Sequence, residues 1–224
     1  MRKIGLILLA VLLTGCSLTT NSIKARIAVA LDRASEVRLT MNQNQNKSTY
    51  DYYLAPDIGR RESTLSSSVL FAHNANILMN LDIVSVLSDR FYETEGTDPL
   101  RKFILNATPV YQRSDDVITI DKRLMTYVAT ISPVENNIVL ISLQTRYFLF
   151  TAIAPFASAP DLLYDMLVVC RTATISEEQI TLLYSNRETI NYKKETLDIF
   201  SQLAPESGKV IDMISVDSNQ PSNE

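Results

Sequence analysis

Residues 110–153 read VYQRSDDVITIDKRLMTYVATISPVENNIVLISLQTRYFLFTAI, and this stretch decides the fold class. Runs rich in β-branched and aromatic residues follow one another at 110–113, 117–120, 124–131, 138–143 and 147–153. Between them lie Ser114-Asp115-Asp116, Asp121-Lys122 and residues 133–137, all of turn-forming composition. Strands joined by such short loops pair antiparallel, because parallel pairing needs a long crossover connection. An antiparallel meander is therefore expected. Residues 138–154 are apolar enough to raise the question of a membrane span. Gln144 and Arg146 fall near the middle, however, and charge at mid-bilayer is costly, so a buried strand pair is the better reading.

Toward the N-terminus, residues 83–92 carry apolar side chains at 83, 84, 86, 87, 91 and 92 and read as a short helix. Residues 68–72 and 77–81 flank His73-Asn74-Ala75-Asn76, the pattern of a hairpin whose turn is supplied by Asn. Pro56-Asp57-Ile58-Gly59 is a turn signal, 49–54 a tyrosine-rich strand, 42–47 a polar loop, and 36–41 an alternating segment that reads as a strand. Residues 23–31 are rich in apolar side chains, and 100–105 read as a helical turn or two. Toward the C-terminus, 160–171 has helical spacing, and Ser176-Glu177-Glu178-Gln179 is a capping box opening a helix to about residue 184. A third helix is expected over 194–203 and a closing strand over 209–216, while the polar residues 217–224 read as disordered. The fold class is α+β: an antiparallel sheet with helices mainly in the C-terminal third, forming one domain over residues 23–216.

Few residues carry recognisable chemistry. The sole histidine, His73, falls at a turn tip, and no Gly-x-Ser-x-Gly elbow accompanies it. Asp115, Asp116 and Asp121 form the densest acidic group, able in principle to hold a hard cation or to act as acid and base. Asp115-Asp116 falls where a hairpin turn is expected, which is the plainer account of both. Arg60 and Arg61 follow the turn at Gly59 and could meet anionic headgroups or an acidic partner; Glu62 beside them fits a solvated surface equally. Tyr50, Tyr52 and Tyr53 are candidates for a partner surface or for ordinary strand packing; on a strand Tyr50 and Tyr52 share one face and Tyr53 takes the other. Cys170 shares a helical face with Leu162, Leu163, Met166 and Leu167 and reads as a small buried thiol. No cofactor motif is found: beyond residue 15 the glycines are Gly59, Gly96 and Gly208, too dispersed for a phosphate-cradling loop.

The first sixteen residues stand apart. Arg2 and Lys3 precede an apolar run over 4–13, far short of the roughly 20 residues of a spanning helix. Leu13-Thr14-Gly15-Cys16 follows, and this leader resembles the lipobox of bacterial lipoproteins. The resemblance covers the leader alone. It implies cleavage between Gly15 and Cys16, diacylglycerol on the Cys16 thiol and acylation of the new amino group, giving the multiple chains that stable anchoring needs. By the same resemblance, Ser17 directs the protein to the outer membrane of a two-membrane cell; in a one-membrane cell it would sit on the outer face of the cytoplasmic membrane. Residues 1–15 are then a signal peptide and 16–22 a short linker. With Cys16 lipidated, Cys170 is left unpaired and no disulfide framework is expected.

Composition limits the function classes. The chain has 21 basic and 25 acidic residues and a net charge of −4, and loss of the leader removes two of the basic residues. An acidic chain without a basic stripe is a poor nucleic-acid binder. The expectation is a noncatalytic binding or assembly component of the cell envelope, partnered by the membrane through its lipid and by another envelope protein or a cell-wall component. The alternatives are an envelope hydrolase using the Asp115/Asp116/Asp121 group or His73, and a small-ligand carrier.

Overall fold

The computed structural model describes residues 20–92 and 108–184. The leader with Cys16, and the elements expected over 100–105, 194–203, 209–216 and 217–224, lie outside them. The first described element is α1 (Thr20–Glu36), whose buried residues Ile23, Ile27, Ala30, Leu31 and Ala34 recur at helical spacing. The chain then has no regular structure until the two-residue β1 (Gln45–Asn46). The strand expected over 36–41 is therefore absent: Glu36 closes the helix, and Val37 N–H extends the helical bonding to Arg33 O at 3.0 Å. The segment reserved as a linker runs into α1 at Thr20.

β2 (Tyr50–Tyr52) is the middle strand of a small antiparallel sheet, β1-β2-β10, where β10 is Thr174–Ile175. The large sheet is wholly antiparallel, in the order β3-β4-β5-β9-β8-β7-β6. It joins two meanders: β3 (Gly59–Ser63), β4 (Ser67–Ala72) and β5 (Ala75–Leu81), then β6 (Tyr111–Ile118), β7 (Leu124–Glu135), β8 (Ile138–Thr145) and β9 (Phe148–Pro155). The last strand of each meander, β5 and β9, form the pair that zips them together. The expected α+β class and antiparallel meander hold. Between the meanders, α2 (Ile83–Tyr92) occupies the residues expected for it. α3 (Ala159–Thr172) and α4 (Glu177–Tyr184) follow the sheet.

Turn chemistry explains the hairpins. His73 and Asn74 have φ of 49° and 60°, and Asn136 and Asn137 of 38° and 69°. Two left-handed residues in a two-residue loop match the twist of the flanking strands, and Asn tolerates that conformation better than most side chains. Pro133 was expected to begin a turn, but β7 continues through it to Glu135 with a bulge. This is possible because β6 begins only at Tyr111, opposite Ile131, so no ladder bond is demanded of the missing N–H on that side.

A larger correction concerns Asp115 and Asp116. They lie not in a turn but inside β6, opposite Tyr127 and Thr126 of β7. β6 is an edge strand, where charged side chains reach solvent and discourage pairing with another chain. The reversal comes later: Thr119 and Arg123 close the loop, with Lys122 at φ 64°.

The core lies between the sheet and the helices. On the sheet's helix-facing side the register aligns Leu70, Ile77, Ala152, Ile141 and Ile131, all buried. α3 packs across this face and is buried along nearly its whole length. α1 lies on α3 and beside β6. Arg113 of β6 reaches Asp32 and Ala28 O of α1, at 2.7 and 3.3 Å. Farther along, Arg171 of α3 donates to Ala34 O and Val37 O at the end of α1 and to Ile118 O at the end of β6. α1 thus runs in the direction of β6, and its start lies toward the end of the sheet that carries the tips His73-Asn74 and Asn136-Asn137, here called the hairpin end.

Arg171 is 5 % exposed, and its guanidinium satisfies carbonyls from two elements. Truncation would strand three acceptors, each costing about 1–3 kcal/mol if water does not replace the donor. Arg171→Ala should lower unfolding free energy in urea by about 3 kcal/mol or more. Arg171→Lys, whose ammonium cannot fork to three separated carbonyls, should recover less than half. A loss below about 0.5 kcal/mol, the level of an ordinary surface substitution, would contradict the assigned role.

Candidate functional site

At the opposite end of the sheet from the hairpin tips, the chain leaves a cleft of about 330 Å³. Three stretches meet there: the 119–126 turn and strand start, the Thr145–Phe148 reversal, and the end of α3 with β10. α3 stops at Thr172 and the backbone of Ala173 becomes extended, with its N–H on Cys170 O at 3.2 Å. That departure opens the space beside the first residues of β7. Met125, Tyr147, Phe148, Cys170 and Ile175 give it apolar walls. Leu124 at its edge is 70 % exposed, and Ile118, directly opposite in the β6–β7 pair, is 48 % exposed.

Two guanidiniums border the cleft, each held by a carboxylate. Arg146 grips Asp89 of α2 in a bidentate pair, with Nε donating at 2.5 Å, and Tyr147 Oη donates to the same carboxylate at 2.8 Å. Burial, then Asp89, pushes the Tyr147 phenol up to about 12. Arg123 Nε donates to Asp121 at 2.5 Å. Burial alone would raise the Asp121 carboxyl, but the Thr119 hydroxyl and Arg123 outweigh it and the net shift is downward. The rim is therefore polar yet charge-balanced.

Cys170 is buried, as its helical spacing implies. Its Sγ lies 3.8 Å from Met125 Sδ and 3.9 Å from Thr145 Oγ1. Burial pushes the thiol up to about 12, against a smaller pull from Thr145, so it stays protonated at neutral pH. It is a wall of the cleft and not a nucleophile.

The residues singled out in the sequence do not converge. Asp115 and Asp116 project to opposite faces of β6, and Asp121 sits in the turn beyond. Asp115 is engaged by Arg113 at 2.7 Å, which with the Asp116 N–H holds its carboxyl below the usual value. Asp116 accepts from the Thr126 hydroxyl at 2.6 Å. Tyr50 and Tyr52 share one face, as expected of a strand, but that face is core. They are 1 % and 0 % exposed, stack at 5.7 Å, and Tyr50 meets Phe148 edge-on at 5.5 Å. They offer no surface to a partner, and Tyr53 is only half-buried on the other side. Arg60 and Arg61 are exposed on the edge strand β3, with a bulge between Arg60 and Glu62, and Arg61 stacks over Phe71 at 4.0 Å.

Two constellations were invisible in the sequence. Lys47 Nζ donates to Ser67 O at 2.7 Å, to Tyr50 Oη at 2.9 Å and to Ser68 Oγ at 3.2 Å. Burial, then Arg60, lowers the ammonium to about 8. A serine beside such a lysine is the raw material of a Ser–Lys hydrolase, but Ser68 is 1 % exposed and no substrate could reach it. The trio is a clasp between the small sheet and β4. The second is at the hairpin end: His73 Nε2 lies 2.9 Å from Asp165 Oδ2 of α3. Ninety-two residues separate the partners, and no local pattern around either one in the sequence signals the contact.

Among the described residues no group of three or more His, Cys, Asp or Glu could hold a metal ion, and no helix is long and apolar enough to cross a membrane. No protein-family model matches the sequence, and no curated protein matches it.

The Asp165 carboxyl is raised from 3.8 to about 6, first by burial, with Asp57 and Asp161 adding and His73 opposing. The native state therefore holds this proton more tightly than the unfolded chain. Its stabilising contribution is complete below about pH 4 and is lost as pH rises through about 6. Asp165→Asn, which can still bond to His73, should gain melting temperature relative to wild type as pH is raised from about 4 to 7. A difference that stays constant across that range would contradict the assignment.

Proposed function

We propose that this chain is an exported lipoprotein, held at a membrane surface by lipid on Cys16, and that its folded part is a noncatalytic binding component of the envelope. The observation that carries this reading is the leader, whose charged start and short apolar run end in Leu13-Thr14-Gly15-Cys16; the placement of α1 then says how an anchored domain would sit. Only residues 17–19 separate Cys16 from the helix start at Thr20. Four residue steps span about 14 Å at most, so the hairpin end would lie close to the bilayer. α1 is about 25 Å long at the usual helical rise and runs away from that end. The cleft would then open away from the membrane, toward another envelope protein or a cell-wall component. With Ser17 after the cysteine, the outer membrane is the expected site in a two-membrane cell, and otherwise the outer face of the cytoplasmic membrane.

The hydrolase alternative has less support. The three aspartates are engaged in separate local contacts, and His73 lies at the end of the sheet opposite the cleft. The small-ligand reading is favoured by one specific observation, the cleft itself.

Cys16→Ser should abolish incorporation of labelled palmitate and leave a precursor that still carries residues 1–15, as read by mass spectrometry of the N-terminus. Normal processing and labelling in that variant would sink the lipoprotein reading.

A further inference from the structure

We infer that the cleft lined by Met125, Tyr147, Cys170 and Ile175 is a binding site for a small, uncharged aromatic group. This rests on reading the domain as a binding component, but not on the lipid anchor. The volume, about 330 Å³, lies at the small end of the range for ligand pockets, roughly 300–1,000 Å³.

Charge decides against an anionic ligand. Both guanidiniums at the rim are already matched by carboxylates of this chain, Arg146 by Asp89 and Arg123 by Asp121. An incoming carboxylate or phosphate would have to break the bidentate Arg146–Asp89 pair or crowd Asp121. A cation would have to displace a guanidinium from Asp89 or Asp121. A neutral ligand disturbs neither pair.

The walls favour an aromatic over an alkyl group. The thioether of Met125 and the thiol of Cys170 stand 3.8 Å apart within the lining, which also includes Tyr147 and Phe148. Divalent sulfur makes favourable contacts at ring edges, and aromatic side chains add edge-to-face or offset partners. Leu124 and Ile118, exposed side by side, extend the apolar surface outward from the mouth.

The test uses the full chain in isolated membranes, or in solution where it is unanchored, with a neutral phenyl diazirine as photoprobe. Saturable insertion is expected in peptides carrying Met125, Tyr147 and Ile175, displaced by toluene and not by benzoate. Met125→Trp, which fills the space from β7, and Ala173→Leu, which fills it from the end of α3, should each weaken saturable labelling at least about tenfold, or about 1.4 kcal/mol. Far-UV circular dichroism establishes which variants are folded. Unchanged labelling in a folded variant, insertion that does not saturate, or stronger displacement by benzoate would overturn the inference. Those outcomes would leave the Cys16 reading standing, because palmitate incorporation is measured separately.

Discussion

A single buried guanidinium fixes how the layers of this protein meet. Arg171, in the last turn of α3, donates to Ala34 O and Val37 O where α1 ends, and to Ile118 O where β6 ends. Its own carbonyl accepts the N–H of Ile120 at 2.8 Å. A helix C-terminus carries unsatisfied carbonyls and a partial negative charge, so the end of α1 is a natural seat for a cation in place of a carboxylate. Burial alone lowers the Arg171 pKa, yet an arginine so far above neutrality keeps its charge. Helix, sheet edge and the following turn are thereby held to one point.

The location of the cleft follows from that junction. The turn closed by Thr119 and Arg123 is tied to the end of α3 by the Ile120–Arg171 bond, and α3 then yields to β10, which pairs with β2. Gln43 braces this stretch by donating to Thr172 O at 2.7 Å and Thr174 Oγ1 at 2.9 Å. The space left among these segments is the cleft, and the Arg146–Asp89 pair closes it toward α2. Charged side chains in this region serve as braces, which is why the cavity is apolar inside although arginines stand at its rim.

The sheet was largely legible in the sequence because its signals are local. Alternation, turn-forming composition and short polar gaps located the β4–β5 and β7–β9 hairpins, and apolar spacing located α2 and α3. The errors share a cause. Asp115-Asp116 has turn composition, but an edge strand accepts charge, so composition and conformation parted there. The residues 36–41 alternate as a strand would, yet the helical period of Ile23, Ile27, Leu31 and Ala34 had already committed the preceding chain to α1. The cleft and the His73–Asp165 contact could not be read, because each joins segments tens of residues apart whose proximity only the completed sheet creates.

The central claim is that the start of α1 and the cleft occupy opposite ends of the domain, so that a lipid on Cys16 turns the cleft away from the bilayer. It is tested most directly by fluorophores placed singly at Asn137, on an exposed hairpin tip, and at Leu124, beside the cleft, in protein reconstituted into vesicles carrying a headgroup quencher. Strong quenching at Asn137 and little at Leu124 are expected. Equal quenching at the two positions, or stronger quenching at Leu124, would contradict it.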